Sequence, residues 1–246
     1  MFPEICHIGH FTVYSYGVML VLAFFISSYL ASRQAVKANI DPDMIFNLCF
    51  YVFIVGIIGS RIFYVVSNYP YYLKHPLEII MLQHGGLAIF GGIIFGSFFS
   101  WVFIRRKKMD TLITLDLLVP FIALGQGIGR IGCFLNGCCY GKASVFGIYF
   151  PVLGKTLIPT QLYSSLLLFL IFFILRFMQS RKHLPGQIAY SYLFLYSVKR
   201  FFIEFFRNDN PRIFYGLTIF QLLSLAMFLF SLVMFVRTFT IKKEIK

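Results

Sequence analysis

Apolar residues come in long blocks along this chain, and the polar residues gather between them. Runs of about twenty residues, each almost free of charge, are long enough to cross a bilayer. Read with their Gly, Pro and charged breaks, they predict seven spanning helices. These lie near Phe11–Ala31, Met44–Val66, Gly86–Ile104, Leu112–Ile128, Thr160–Met178, Gln187–Phe206 and Leu217–Val236. No stretch alternates apolar and polar residues over the ten or so positions of a barrel strand. The fold class expected is therefore an all-α polytopic membrane protein. Neither a repeat nor a linker interrupts it, so residues 1–246 read as a single transmembrane domain.

Composition agrees with the blocks. Hydrophobic residues make up 59% of the chain and charged residues only 13%, against about 25% charged in soluble domains. The net charge of +13 would suggest nucleic acid in a soluble protein. Here the basic residues sit in short loops, where topology and lipid head groups account for them, so no nucleic-acid partner is expected. Clusters follow the first, third, fifth and seventh helices: Arg33 and Lys37; Arg105, Arg106, Lys107 and Lys108; Arg176, Arg181 and Lys182; Arg237, Lys242, Lys243 and Lys246. The positive-inside rule then places the N-terminus outside and the C-terminus in the cytoplasm. Met1–Phe11 lacks the basic start of a cleavable signal peptide.

The polar residues that break the pattern are the informative ones. Gly125–Gly141 crowds glycines, Arg130, Asn136 and Cys133, Cys138 and Cys139 onto the end of an apolar run. Within it Gly127–Gly132 matches a dinucleotide-binding fingerprint, but it follows no strand, and Tyr149, Phe150 and Pro151 stand where the acidic residue belongs. Arg61 lies inside the second helix. Tyr196, Arg200, Glu204 and Arg207 share one face of the sixth by their spacings of four and three. Ionisable residues at membrane depth face the bundle interior and mark a functional path. Four arginines against one glutamate leave a surplus of positive charge, and the planar guanidinium suits phosphate. An anionic phospholipid head group in the outer half of the bilayer is the expected occupant; a purely structural Arg–Glu–Arg network is the alternative.

The third helix opens on His84, Gly85 and Gly86, with Gly91, Gly92 and Gly96 after them. Such glycines let helices approach closely and leave room for lipid chains. His84 could act as a base or as a helix-end residue. Tyr16 begins the first helix, as a head-group contact or as part of an aromatic belt. Cysteines count five, an odd number that argues against a full disulfide framework. Cys138 could be a nucleophile in an arginine-rich site, could pair with Cys133, or could fill space. The spacing lacks the ligand set of a four-coordinate zinc site, so neither metal nor cofactor is expected.

Taken in order, these motifs resemble the prolipoprotein diacylglyceryl transferases of bacterial inner membranes. Tyr16-Gly17-Val18-Met19 is similar to the family's early Tyr-Gly-Leu-Met, and Gly59-Ser60-Arg61-Ile62-Phe63-Tyr64-Val65 to its Gly-x-Arg-Leu-x-Tyr-Val. The segment from Gly129 to Cys138 resembles the signature Gly-Arg-x-Gly-Asn-Phe-x-Asn-x-Glu, and Ile158-Pro159-Thr160-Gln161-Leu162-Tyr163-Ser164 resembles the family's His-Pro-Ser/Thr-Gln-Leu-Tyr-Glu. Arg200-Phe201-Phe202-Ile203-Glu204-Phe205-Phe206-Arg207 matches the late motif residue by residue. Three positions depart: the family's histidine falls on Phe90, its asparagine on Cys133 and its glutamate on Cys138.

The resemblance implies a multi-pass protein of the bacterial inner membrane. Its partners would be phosphatidylglycerol and the signal peptide of a secreted preprolipoprotein. The diacylglyceryl group would pass to a lipobox cysteine thiol as a thioether, with glycerol phosphate released. Arg130 and Arg200 would hold the phosphate, Arg61 and Arg207 would support them, Glu204 would orient Arg200 and Tyr16 would touch the head group. Asn136, Gly85, Gly86 and Tyr196 would line the substrate, and His84 and Cys138 complete the candidate chemistry. A paralogue using Cys138 with another acceptor, or a lipid-binding protein without the reaction, are the alternatives.

Overall fold

The computed structural model describes residues 2–8, 11–81, 85–151, 153–207 and 210–244. Eight α-helices carry the chain: α1 (Ser15–Lys37), α2 (Pro42–Ser67), α3 (Tyr69–Lys74), α4 (Ile89–Arg106), α5 (Thr111–Leu135), α6 (Thr160–Gln179), α7 (Gln187–Phe206) and α8 (Ile219–Glu244). Among the described residues, α1, α2, α4, α5, α6 and α8 contain segments long and apolar enough to cross a membrane. The chain is a multi-pass membrane protein. The seventh expected span is α7, which has the bounds read from the sequence and about 30 Å of length. It falls short on composition because Lys199, Arg200 and Glu204 lie within it.

Two expectations are corrected at the helix ends. The first helix starts at Ser15, because the residues before it pair as an antiparallel hairpin of β1 (Glu4–Ile8) and β2 (Phe11–Tyr14). The fourth expected helix, α5, continues about two turns past Ile128 to Leu135. Its glycines are spent on helix packing rather than on a loop. A Cβ on Gly125 would lie 3.0 Å from Ser27 Oγ, on Gly127 2.9 Å from the Phe169 ring, and on Gly132 2.8 Å from Met19 Cβ. Two further hairpins, β3 (Ala143–Phe150) with β4 (Lys155–Leu157) and β5 (Arg212–Phe214) with β6 (Leu217–Thr218), fill loops between helices.

The chain divides into two compact units. One comprises residues 1–30 and 115–246. Its apolar core joins α5, α6 and α7 through Val119, Ala123, Ile171, Leu175, Ile188, Ala189 and Tyr192. The N-terminus of α7 leaves backbone N–H groups without helical partners. Asp116 of α5 supplies one, accepting from Gly186 N at 2.7 Å and Ala189 N at 2.8 Å.

The second unit spans residues 31–114. There α2 and α4 meet backbone to backbone: a Cβ on Gly91 would stand 2.2 Å from the Gly59 carbonyl oxygen, and one on Gly92 2.6 Å from Ser60 Oγ. The close approach expected of these glycines is what the helices make. Outward faces in both units remain apolar, with Phe98, Leu166 and Phe173 all exposed, as a lipid solvent requires.

Candidate active site

The first unit assembles most of the polar residues singled out above. At its centre the end of α5 turns sharply. Gly137 takes φ +72°, its N–H bonds the Phe134 carbonyl at 3.1 Å, and the Cys138 N–H bonds the Cys133 carbonyl at 3.1 Å. This is the Schellman closure of a helix, in which the third residue from the end and the second residue beyond it come together. Those two residues are Cys133 and Cys138. Cys139 follows with φ +61°, a left-handed conformation costly for any residue but glycine. The strain is held by α6, whose Thr160 Oγ1 donates to the Cys139 carbonyl at 2.8 Å and whose Gln161 Nε2 donates to the Cys138 carbonyl at 2.6 Å.

The turn gathers the sulfurs of Cys133, Cys138 and Cys139 within 4.8 Å of one another. All three are free thiols and half-buried. Hydrogen bonds from Cys133 and Cys138, with Arg207 and Arg130 adding their charge, hold Cys139 well below the usual thiol range. Asn136 hydrogen-bonds Cys138 through its side chain. Tyr16 lies against Gly132, within electrostatic reach of Arg130 and the cysteines.

Backbone pairing brings α7 to the same place. Gly141 bridges Arg207, Lys142 N donates to the Phe206 carbonyl at 2.9 Å, and Gly141 N donates to the Ile158 carbonyl at 2.9 Å. A side chain at Gly141 would collide with the Phe206 carbonyl at 2.6 Å, so only glycine lets the strands close. On α7, Arg200 pairs with Glu204 at 3.1 Å and lies over the Phe220 ring. The buried Glu204 carboxylate also accepts from Thr218 Oγ1 at 3.0 Å and Asn210 Nδ2 at 2.5 Å. Lys199, which the sequence reading passed over, is buried too. Its ammonium donates to Ser164 Oγ at 3.1 Å and sits 4.5 Å above the Tyr196 ring. Arg130, Arg200 and Arg207 are near enough to act on it electrostatically.

Arg130 differs from these neighbours. Among the described residues no carboxylate lies within ion-pair distance of its guanidinium, and no side-chain hydrogen bond fixes it. Gly129 beside it faces open space. Arg130 lies within electrostatic reach of Arg200, which is paired with Glu204.

The second unit receives Arg61, Gly85 and Gly86. Arg61 is buried and spends all five N–H groups on backbone carbonyls. Nε donates to Ile79 at 2.9 Å, Nη1 to Gly85 at 2.5 Å and Gly86 at 3.0 Å, and Nη2 to Glu78 and to Met81 at 3.1 Å. Its five donors thus hold the backbone of Glu78, Ile79, Met81, Gly85 and Gly86. Gly85 and Gly86 adopt φ +78° and +79°, and a Cβ on Gly86 would touch Tyr64 at 2.6 Å. Both line a polar cavity of about 520 Å³ with Tyr64, Asn68, Tyr71, Tyr72 and Glu78. Tyr71 donates to Glu78 at 2.9 Å, which holds its phenol above the usual range. His84 lies outside the described residues.

Thr160, Gln161 and Lys199 were legible only in part. The first two stood in a recognisable motif but gave no sign that they grip the cysteine turn. Lys199 was hidden by lying directly beside Arg200.

Residues 3–237 match the family described as prolipoprotein diacylglyceryl transferase. The chain is 34% identical over 247 residues to the phosphatidylglycerol–prolipoprotein diacylglyceryl transferase of Streptococcus agalactiae, covering 95% of each chain. To the protein of the same name from Clostridium tetani it is 35% identical over 219 residues, 86% of this chain and 87% of that one. The Finegoldia magna counterpart is 36% identical over 220 residues, 89% and 88% of the two. With the arginine-lined end of its bundle and these relatives along nearly its whole length, the chain belongs to the prolipoprotein diacylglyceryl transferase family.

Proposed function

We propose that this protein transfers the diacylglyceryl group of phosphatidylglycerol to the thiol of a lipobox cysteine in a secreted preprolipoprotein signal peptide. The observation that carries this reading is Arg130: among the described residues no carboxylate lies within ion-pair distance of its guanidinium, and the paired Arg200 is within electrostatic reach. In a bundle surrounded by lipid such a charge calls for an anion. The phosphate of an anionic phospholipid brings that anion together with acyl chains suited to the apolar faces.

The reaction forms a carbon–sulfur bond and breaks the carbon–oxygen bond to phosphate. The electron pair leaves with glycerol phosphate, so negative charge grows on the departing group. Arg130 and Arg200 hold that charge in place, with Arg207 behind them. Glu204 fixes Arg200 by its ion pair. Tyr16, Tyr196 and Asn136 border the same space. Arg61, Gly85 and Gly86 act on the substrate indirectly, by shaping the loop and cavity of their own unit. The protein works as one domain in the bacterial cytoplasmic membrane, N-terminus outside, where preprolipoproteins emerge.

The test is transfer in vesicles of phosphatidylglycerol to a lipobox peptide, read by mass spectrometry of the lipidated peptide. Wild type gives thioether product; Arg130→Ala lowers the rate at least about 100-fold. Product formation unchanged by Arg130→Ala overturns the assignment. Phospholipid binding without product would replace the enzyme by a lipid-binding protein.

A further inference from the structure

A thiol attacks carbon as its thiolate, so the transfer proposed above needs a place for the acceptor's proton to go. Among the described residues of the first unit, no carboxylate or histidine stands open beside the cysteines. Glu204, its carboxylate nearest the arginines, is buried and already held by Arg200, Asn210 and Thr218. Of its described histidines, His7 sits on the exposed N-terminal hairpin beside Glu4, and His183 sits by Asp116. At the family's histidine position this chain has Phe90.

What the site has instead is sulfur. Cys133, Cys138 and Cys139 place three Sγ atoms within 4.8 Å. A tetrahedral zinc with bonds of about 2.3 Å separates its sulfurs by about 3.8 Å, which small side-chain rotations reach. The spacing of these cysteines gave no reason to expect a metal. Helix closure at Gly137 and the left-handed backbone at Cys139 are what fold them together. The backbone around them is held rigid by Thr160 and Gln161. A cluster pinned this tightly in a conformation that disfavours Cys139 has the marks of a functional site.

We propose that Cys133, Cys138 and Cys139 bind one zinc-class divalent cation as thiolates, and that its fourth position takes the thiol of the acceptor cysteine. The inference rests on the transferase reading and deepens it. Three protein ligands with one open position are the pattern of a catalytic zinc site, where a structural site would be closed by four. A coordinated thiol is deprotonated outright, and its proton passes to water. The acceptor is then held as a nucleophile while Arg130 holds the lipid phosphate. Its sulfur bonds to the glyceryl carbon, the carbon–oxygen bond breaks, and glycerol phosphate leaves with the electron pair. The product thioether carries no charge, binds the cation more weakly than a thiolate, and departs. Three thiolates and a divalent cation sum to one net negative charge, which Arg130 and Arg207 are placed to offset.

The test uses the full-length protein in detergent or nanodiscs, reduced, stripped with a chelator and titrated with cobalt(II). One equivalent should bind, with the sulfur-to-cobalt charge-transfer band and the strong visible bands of tetrahedral thiolate cobalt. Cys133→Ser, Cys138→Ser and Cys139→Ser should each weaken binding by at least about tenfold. A lipobox peptide should shift the bands, and the same peptide with serine for cysteine should not. Absence of stoichiometric cobalt, a spectrum blind to the cysteine peptide, a Cys133–Cys138 disulfide in the isolated protein, or full transfer by the stripped enzyme would each overturn the proposal. Because cobalt binding reads no lipid transfer, the two readings fail separately. A protein that binds cobalt but transfers nothing removes the transferase; one that transfers without metal removes the metal.

Discussion

Arg61 and Arg130 both stand in glycine-rich helical sequence, and each is followed by isoleucine. Their surroundings differ completely. Arg61 is buried with every donor committed to a carbonyl of the 78–86 loop. Arg130 is half-buried, beside open space at Gly129, with no described carboxylate in reach. One guanidinium fastens its own chain, and the other meets no carboxylate among the described residues. Residue type and glycine-rich helical setting are the same for both, so neither by itself marks a functional arginine. Counting donors against acceptors does.

The comparison breaks most decisively at Arg130 itself. Arg130→Ala should cost at least about 100-fold in transfer while leaving the thermal unfolding of the purified protein nearly unchanged. Arg61→Ala should do the reverse. Removing the buried guanidinium with its five backbone bonds costs about 3–5 kcal/mol, visible as lost expression or a lower unfolding temperature. If both variants lost activity alone, the distinction drawn here would be wrong.

A smaller effect is expected at Glu204. Glu204→Gln keeps the shape and the partners Thr218 and Asn210 but leaves Arg200 without its counter-charge. The buried pair should lose about 3 kcal/mol, and added phosphatidylglycerol should restore more stability to the variant than to the wild type. Equal stabilisation of both would separate Arg200 from the lipid. Smallest are the glycines. Gly127→Ala meets the Phe169 ring at 2.9 Å and should destabilise by about 1–2 kcal/mol. Gly129→Ala meets nothing and should stay within about 0.5 kcal/mol. A fall in transfer by Gly129→Ala at unchanged stability would show that the space beside Arg130 is used by substrate.

Hydropathy located every long helix, because lipid imposes length and composition directly. It misplaced the ends of α1 and α5, where hairpin pairing and glycine packing decide the boundary. The pairing of Arg200 with Glu204 followed from helical period, whereas Arg207 leaves α7 in extended backbone and bridges Gly141. What the sequence hid was made by backbone conformation. A four-residue gap between Cys133 and Cys138 says nothing of contact until a helix closes at Gly137. Cys139 joins them only because its φ is positive. The partners of Arg61 were hidden for a related reason: they are carbonyls, which every residue owns and no motif displays.

Asp116 bears on α7 from the opposite end. Its carboxylate holds Gly186 and Ala189, thirteen residues before Lys199, roughly 20 Å along the axis. A helix is a stiff rod, so this mooring fixes how far along its length the basic residues stand. Freeing it would give the rod axial play, and a piston-like slip of a single ångström at the base would be delivered undiminished to the phosphate.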